Sequence, residues 1–229
     1  MVARMRRNLT LVNSEYTREL VADGLGIDST VLHPPVPGTF PAVPWARREN
    51  GFVCLGRLSP EKHLVEIVDL LAEVRRRHPT ITLHVAGAPE DRAYVRRLEA
   101  RARAHCPWVH LHRDLSRDAL ASLVAQQRYG IHAMPDEPFG IAVAEMVRAG
   151  CVVFVPDTAG PAEIVGPYPP LLFRSPAQAI ERIDAVLASA DAQERARAHL
   201  ATRAPLYSSE RFVAEIRAVV TAALARQRT

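Results

Sequence analysis

A glycine-led stretch, GRLSPEKHL, carries two cations that could hold a diphosphate. Arg57 and Lys62 are five residues apart, and Gly56 allows the backbone to approach a ligand closely. Lys62 is also the only lysine among the 29 basic side chains, and a lysine is a compact point charge where an arginine is a wide planar fork. The glycines of a phosphate-binding P-loop are missing. The alternative is a surface turn with solvated charges, which is the commoner arrangement of exposed cations.

Two glutamates in MPDEPFGIAVAEMVRAG form a second candidate site. Pro138 disfavours helical geometry at Glu137, so we expect a helix to begin near residue 139 or 140, with Glu145 inside it. Eight helical steps would separate the two carboxylates by about 12 Å, farther than the roughly 5 to 9.5 Å of glycosidase pairs, which predicts separate roles. The free N–H groups of Gly140 and Ile141 could bind an anion or a hydroxyl. The alternative is a Glu145 on an exposed helix face and a Glu137 in a solvated loop.

These loops need a fold that brings strand ends together, and the sequence predicts one from residue 50 onward. Short β-branched runs alternate with segments of helical period, from GFVCLGRL, HLVEIVDLLAEVRRR and ITLHVAG to PLLFR and PAQAIERIDAVLASA. This alternation predicts a doubly wound α/β domain with a parallel, Rossmann-like sheet over residues 50–205. Such sheets bind ligands at the carboxyl ends of their strands, where both candidate loops lie.

The flanking segments predict a division of the chain into four parts. Five prolines in HPPVPGTFPAVP make a stiff stretch, which predicts an interdomain linker at residues 34–49. Before it, LTLV is strand-like and NSEYTRELVADGLG is typical of a capped helix that ends on glycine, so we expect residues 1–33 to be a remnant strand and helix of an acceptor domain. After the central domain, SSERFVAEIRAVVTAALARQ predicts a long amphipathic crossing helix within residues 206–229.

The composition limits the possible function classes. The chain has 229 residues, 48% hydrophobic and 24% charged, as is typical of a soluble globular protein, and no apolar run approaches a membrane span. The net charge of +4 comes without a nucleic-acid recognition motif. Three separate cysteines argue against disulfides, and His84, His110 and His112 are more typical of satisfied structural histidines than of a metal site. We therefore expect a cytoplasmic protein with no metal, no nucleic-acid partner and at most peripheral membrane contact.

In this order and spacing, LGRLSPEKHL, HVAG, DEPFGIAVAEMVRAG and VPDTAGPAEIV closely resemble the nucleotide-sugar-binding C-terminal domain of retaining GT-B glycosyltransferases, in glycosyltransferase family 4. The resemblance covers about residues 8 to 226. It implies that Arg57 and Lys62 neutralise the donor diphosphate. It also implies that Glu145 binds the ribose hydroxyls and that Glu137 faces the donor sugar. The remaining donor-binding positions that it implies are Gly56 and the backbone amides of Phe139, Gly140 and Ile141.

The sequence also departs from the family pattern. His63 stands where many members have glycine after the lysine, and Arg113 where many have glycine after the third strand. The first difference could alter the loop around Lys62, and the second leaves the identity of the nucleobase open. Because only residues 1–33 resemble the end of the acceptor-binding first domain, we expect that domain, with its own glycine-rich loop, to be largely missing.

The resemblance implies a metal-independent retaining glycosyltransferase, or its donor-binding half. It would move a hexose from a GDP- or UDP-linked sugar to a lipid-linked or polysaccharide glycan, with no cofactor besides this donor substrate. The TAGPAEIV loop and the HPPV stretch are similar to those of mannosyltransferases that extend lipid-linked oligosaccharides, which favours GDP-mannose. The alternative is a nucleotide-sugar-binding subunit that is inactive alone and needs a separate acceptor-domain chain; a homodimer is also open. The implied location is the cytoplasm, including the inner face of the membrane.

Overall fold

The computed structural model describes residues 8–226, which contain a two-stranded and a six-stranded parallel sheet. Their strands are β1 (Leu11–Val12), β2 (Thr30–Val31), β3 (Glu49–Leu55), β4 (Thr82–Ala86), β5 (Val109–His112), β6 (Gln127–Ile131), β7 (Val152–Pro156) and β8 (Leu172–Phe173). The large sheet has the order β5-β4-β3-β6-β7-β8, and all its neighbours are parallel. Within this sheet the chain therefore begins at the central strand β3, continues outward to β5 at one edge, and then runs from β6 to β8 at the other edge, which confirms the predicted doubly wound α/β fold.

The helices supply the crossovers that parallel strands require. They are α1 (Glu15–Leu25), α2 (Leu64–Arg75), α3 (Arg92–Ala104), α4 (Arg117–Gln126), α5 (Ile141–Arg148), α6 (Ala159–Val165), α7 (Pro176–Leu187), α8 (Ala190–Arg203) and α9 (Ser209–Arg226). Six of these helices begin after a side chain whose oxygen accepts an N–H of the first turn, as N-caps do: Ser14, Asp91, Ser116, Ser175, Ser189 and Ser208. Across residues 8–226, no helix combines the length and the low polarity that crossing a bilayer requires.

The core lies on both sides of the central strands. Residues 51–55 of β3 and 152–156 of β7 include unbroken runs of buried side chains, as expected where helices cover both faces of a parallel sheet. Cys54 and Cys151 belong to this core, and burial raises the pKa of each thiol to about 12. Both thiols therefore stay protonated near neutral pH and fill space as small apolar groups.

The segments around the large sheet contain the expected elements. Residues 8–33 form β1, the capped helix α1 that ends at Gly26, and β2, which pairs with β1. Residues 32–44, the proline-rich stretch, contain no helix or strand, and α9 is the predicted long C-terminal helix. Residues 1–7 and 227–229 of the predicted terminal segments lie outside the described residues. The division into an acceptor-domain remnant, a linker and a donor domain stays a prediction.

Candidate active site

The loop after β3 brings Lys62 to the carboxyl edge of the sheet. A Cβ atom on Gly87, in the loop after β4, would lie only 1.7 Å from the carbonyl oxygen of Gly56, so the two loops pack backbone against backbone. A Cβ on Gly56 would lie 3.6 Å from the methylene stem of Lys62. The lysine stem therefore lies directly beside the loop, and its ammonium group is directed toward the turn after β6.

Lys62 and Glu137, two of the predicted site residues, are in contact. The ammonium group forms an ion pair with Oε2 of Glu137, a residue 75 positions later in the chain. Lys62 Nζ also lies 3.4 Å from the sulfur of Met134. The two side chains are only 13% and 18% exposed, so water and salt screen the pair less than they screen an exposed one. Neighbouring strands β3 and β6 end at this edge, which explains why residues so distant in sequence meet.

Arg57 does not share this position. Its guanidinium group binds the carboxylates of Glu61, at 3.2 Å, and Glu90, and its side chain is 57% exposed. Exposed ion pairs of this kind contribute about 0–1 kcal/mol. The two predicted diphosphate ligands therefore lie in different surroundings: Lys62 is enclosed, whereas Arg57 is held loosely at the surface.

The turn before α5 presents the predicted backbone donors. Helix α5 begins at Ile141, one or two residues later than expected, because Gly140 has a φ of 99° and lies outside the helix as its N-cap. Phe139 is buried, with its ring stacked on His33 at 6.0 Å and edge-on to Tyr207 at 5.8 Å between centroids. The first N–H groups of a helix have no intrahelical acceptor. Among the three predicted donors this rule applies to Ile141, because Phe139 and Gly140 lie before the helix.

Glu145 is buried in α5 and is not on an exposed helix face. Its Oε1 atom binds Arg117, which also donates to the carbonyl oxygen of Pro37 at 3.1 Å. Glu137 and Glu145 therefore have different cationic partners. The predicted difference between their roles stays a prediction.

His132 joins this site and was missed by the reading of the sequence. It directly follows β6, is 3% exposed, and has its Nε2 atom 3.8 Å from Oε2 of Glu137. Burial lowers the pKa of His132 to about 4. Glu137 and a backbone hydrogen bond at Met134 raise this pKa, whereas the charges of Lys62 and His63 lower it further. A histidine immediately after a buried strand, five residues before Glu137, was the available sequence signal.

The small unit of residues 8–33 also contacts the site. Ser14 Oγ donates a 2.5 Å hydrogen bond to the carbonyl oxygen of Pro138, next to Glu137. The carboxylate of Glu163, in α6, accepts the N–H groups of Glu15 at 2.9 Å and Tyr16 at 2.7 Å. Burial opposes ionisation of Glu163, but His33 and these two N–H groups hold the pKa below its usual value. No sequence signal pointed to these long-range contacts.

The two departures from the family pattern have identifiable structures. His63 has a φ of 51°, a left-handed conformation that glycine adopts more readily, and it connects the 3-10 turn Pro60–Lys62 to α2. Arg113 forms an ion pair with Glu99. Neither residue is among the ion-pair partners of Lys62 or Glu137 within residues 8–226.

The three predicted structural histidines stack across β4 and β5. His84 Nδ1 lies 3.0 Å from His112 Nε2, and the rings of His84 and His110 are 4.8 Å apart. The expectation that they are fully satisfied is wrong for His84, whose buried Nε2 has no hydrogen-bond partner among the described residues and lies 3.6 Å from Glu49. Within residues 8–226, no group of three or more histidine, cysteine or acidic side chains is arranged to hold a metal ion.

Curated relatives of the chain include mannosyltransferases. GDP-Man:Man(3)GlcNAc(2)-PP-Dol alpha-1,2-mannosyltransferase of Candida glabrata is 28% identical over an alignment of 155 residues, which covers 60% of this chain and 30% of the relative. The protein of the same name from Dictyostelium discoideum is 26% identical over an alignment of 176 residues, which covers 68% of this chain and 35% of the relative. The chain thus spans about a third of the length of these relatives.

Solved structures share the fold at low sequence identity. HepE of Anabaena, solved with UDP and glucose, has a TM-score of 0.79 and 18% identity, over 96% of this chain and 65% of that one. Sucrose-phosphate synthase of Thermosynechococcus elongatus has a TM-score of 0.78 and 16% identity, over 98% and 61%. This is the fold of the C-terminal Rossmann-like domain of GT-B glycosyltransferases, as the sequence predicts.

The family model described as Glycosyl transferases group 1 matches residues 39–203. The match extends from before β3 to the end of α8 and includes Lys62, Glu137 and Glu145. The matched residues thus contain the whole large sheet and both candidate loops. The chain belongs to the glycosyl transferases group 1 family, and it has the fold of the C-terminal domain of GT-B glycosyltransferases.

Proposed function

We propose that this chain forms the donor site of a retaining, family 4 glycosyltransferase that moves a hexose from a nucleotide diphosphate sugar to a glycan. The observation that carries this proposal is the contact between Lys62 and Glu137 at the carboxyl edge of the sheet. It joins a cation suited to a diphosphate and a carboxylate suited to sugar hydroxyls in one partly enclosed site. The names of the curated relatives favour GDP-mannose as donor and a lipid-linked oligosaccharide as acceptor.

The cations would stabilise the leaving group. When the glycosidic bond breaks, its electron pair passes to the diphosphate oxygen, and the added negative charge is greatest in the transition state. An ammonium group with little exposure stabilises such charge more strongly than a solvated one. Arg57 can join Lys62 there at small cost, because its exposed pairs with Glu61 and Glu90 are weak. Together the two cations would do what a metal ion does in other transferases.

The carboxylates and amides would position the donor. Glu137 would hold the sugar, while the leaving phosphate itself accepts the acceptor's proton on the front face, so that Glu137 makes no covalent bond. Glu145 would accept hydrogen bonds from the ribose hydroxyls at Oε2, because its Oε1 already binds Arg117. The backbone at Gly56 and the amides of Phe139, Gly140 and Ile141 would complete the donor contacts.

A thermal-shift panel tests this function. We expect one or more of GDP-mannose, UDP-glucose and UDP-N-acetylglucosamine to raise the melting temperature, with or without EDTA. Lys62→Ala should remove the effect, whereas Arg96→Ala, an exposed cation on α3, should leave it intact. A chain that responds to none of the three nucleotide sugars would contradict the proposed function, and a response lost in EDTA would contradict its independence of metal.

A donor-binding subunit that needs a separate acceptor domain is the second candidate. Large apolar side chains are exposed on the first elements and on α9: Leu9, Leu11, Leu20, Val213, Val220 and Leu224. Exposed apolar surface of this kind commonly marks an interaction site. On this alternative, the purified chain binds the nucleotide sugar but transfers nothing to a lipid-linked glycan. Robust transfer by the chain alone would refute it.

A further inference from the structure

His132 is a buried titratable group beside the donor site with no role in the reaction described above. Its Nε2 atom has no hydrogen-bond partner among the described residues and is aimed at Glu137, 3.8 Å away. A buried polar atom left without a partner destabilises a protein. The position of His132 therefore needs a reason other than stability.

Lys62 and His132 compete for the same carboxylate oxygen. The ammonium group of Lys62 binds Oε2 of Glu137, and the same Oε2 atom lies 3.8 Å from Nε2 of His132. As long as Lys62 supplies the positive charge, a neutral imidazole leaves the cluster balanced, with one cation and one anion. His132 is thus a second potential partner of Glu137, and it does not pair with the carboxylate while Lys62 is bound there.

A donor diphosphate would change this balance. It brings two negative charges to the edge of the sheet, where Lys62 is the enclosed cation. When Lys62 turns toward the phosphates, Glu137 loses its partner in surroundings where it is only 18% exposed. A partly buried carboxylate next to new negative charge must find another cation or take up a proton.

We propose that His132 is a positioning residue that replaces Lys62 as the partner of Glu137 when Lys62 binds the donor diphosphate, with uptake of one proton onto Nε2. This role presupposes the proposed function and deepens it. The proton comes from solvent. Before the exchange, Lys62 balances the charge of Glu137 and His132 is neutral; after it, the imidazolium balances Glu137 and Lys62 offsets one charge of the diphosphate. Held by the imidazolium, Glu137 keeps its direction toward the sugar while Lys62 is engaged elsewhere.

The groups around the imidazole make this exchange sensitive to Lys62. Burial lowers the pKa of His132 to about 4, with Glu137 raising it, Lys62 and His63 lowering it, and the backbone at Met134 raising it. When Lys62 moves away, a positive charge that lowers the pKa of His132 is removed. Glu137, which raises this pKa, is then no longer paired with Lys62. Half-protonation at pH 6 would require about a hundredfold gain in proton affinity.

Calorimetry measures the proton directly. GDP-mannose is titrated into the protein at pH 6 in two buffers of different ionisation enthalpy; its phosphates are diesters that do not titrate there. We expect uptake of at least about half a proton per nucleotide sugar bound, and close to none for His132→Gln. His84→Gln, which removes a partly buried histidine that also has a pKa of about 4, should keep the wild-type uptake. Binding by the wild type without uptake, or equal uptake by His132→Gln, would overturn the exchange.

A second measurement needs no nucleotide. In Lys62→Met the competing charge is gone, so the pKa of His132, followed by NMR of its ring protons, should rise from about 4. Arg57→Met, which alters an exposed cation paired with other carboxylates, should leave it unchanged. An unmoved His132 titration in Lys62→Met would refute the exchange. Failure of every nucleotide sugar to bind the wild type would instead overturn the proposed function, and this role of His132 with it.

Discussion

Replacing Lys62 with arginine keeps the charge at the donor site and changes its shape, and we expect this substitution to remove most of the activity. The stem of Lys62 lies close to the backbone, with Cγ and Cδ 3.6 Å and Cε 3.8 Å from where a Cβ on Gly56 would be. On the far side, Nζ is 3.4 Å from the sulfur of Met134. Gly56 cannot retreat, because the backbone of Gly87 packs directly against it.

A planar guanidinium group is wider than this space allows. Overpacking in an enclosed position costs about 1–3 kcal/mol. If the cost falls on the bound donor and the transition state, kcat/KM should drop roughly 5- to 150-fold. Lys62→Met keeps the width of the stem but loses the charge, so it separates the contribution of charge from that of shape.

The assay compares donor affinity by calorimetry with transfer kinetics for each variant. Arg57→Lys is the matched control, because Arg57 is 57% exposed and its surroundings do not restrict the shape of the cation. We expect its donor affinity and kcat/KM to stay within about threefold of the wild type, a change below 1 kcal/mol. If Lys62→Arg also stays within that range, while Lys62→Met loses activity, charge alone matters and the argument from shape is wrong.

Three further predictions concern stability. Gly87→Ala should lower the free energy of unfolding by about 3 kcal/mol in a denaturant titration, because its Cβ would lie 1.7 Å from a backbone oxygen. The control Gly24→Ala has open space around the new Cβ and should raise the free energy of unfolding by up to about 1 kcal/mol. Equal effects of the two substitutions would refute the close approach at Gly87. Glu163→Gln should cost about 2 kcal/mol, since one carboxylate accepts two N–H groups of α1; amide exchange at those two positions should accelerate, and unchanged exchange would contradict the contact. Stability should fall as the pH drops from about 6.5 to 4, because the folded state holds the pKa values of His84 and His132 at about 4, below the unfolded value, so that the unfolded chain binds more protons. His132→Gln should flatten this profile by up to roughly 3 kcal/mol, and an identical profile in the variant would refute the assignment.

The sheet could be predicted because its signals are local. The apolar runs of β3 and β7 are typical of strands covered on both faces, and Ser14 and Ser175 are recognisable as helix caps from their own neighbourhoods. The sequence predicts the start of α5 one or two residues too early. The pattern of apolar residues does not report the positive φ of Gly140, which excludes it from the helix.

The site could be predicted only in part. Lys62 and Glu137 were expected at one edge because the carboxyl ends of parallel strands share an edge. Which carboxylate each cation binds could not be predicted, because it depends on the order of the strands and on the side-chain rotamers. Lys62 and Glu137, for example, are 75 residues apart in the sequence. For the same reason, the binding of Arg57 to Glu90, 33 residues away, and the approach of His132 to Glu137 became visible only in the folded chain.

The contacts of α1 limit how this protein can be recombined with others. The proline-rich stretch looks like the natural place to exchange one domain for another. A junction there would separate Ser14 from the carbonyl oxygen of Pro138 and would leave the carboxylate of Glu163 without its two N–H donors. The turn that carries Glu137 would then be supported by a foreign sequence. A chimera that is to keep a working donor site should therefore take residues 8–33 and the large sheet from the same protein.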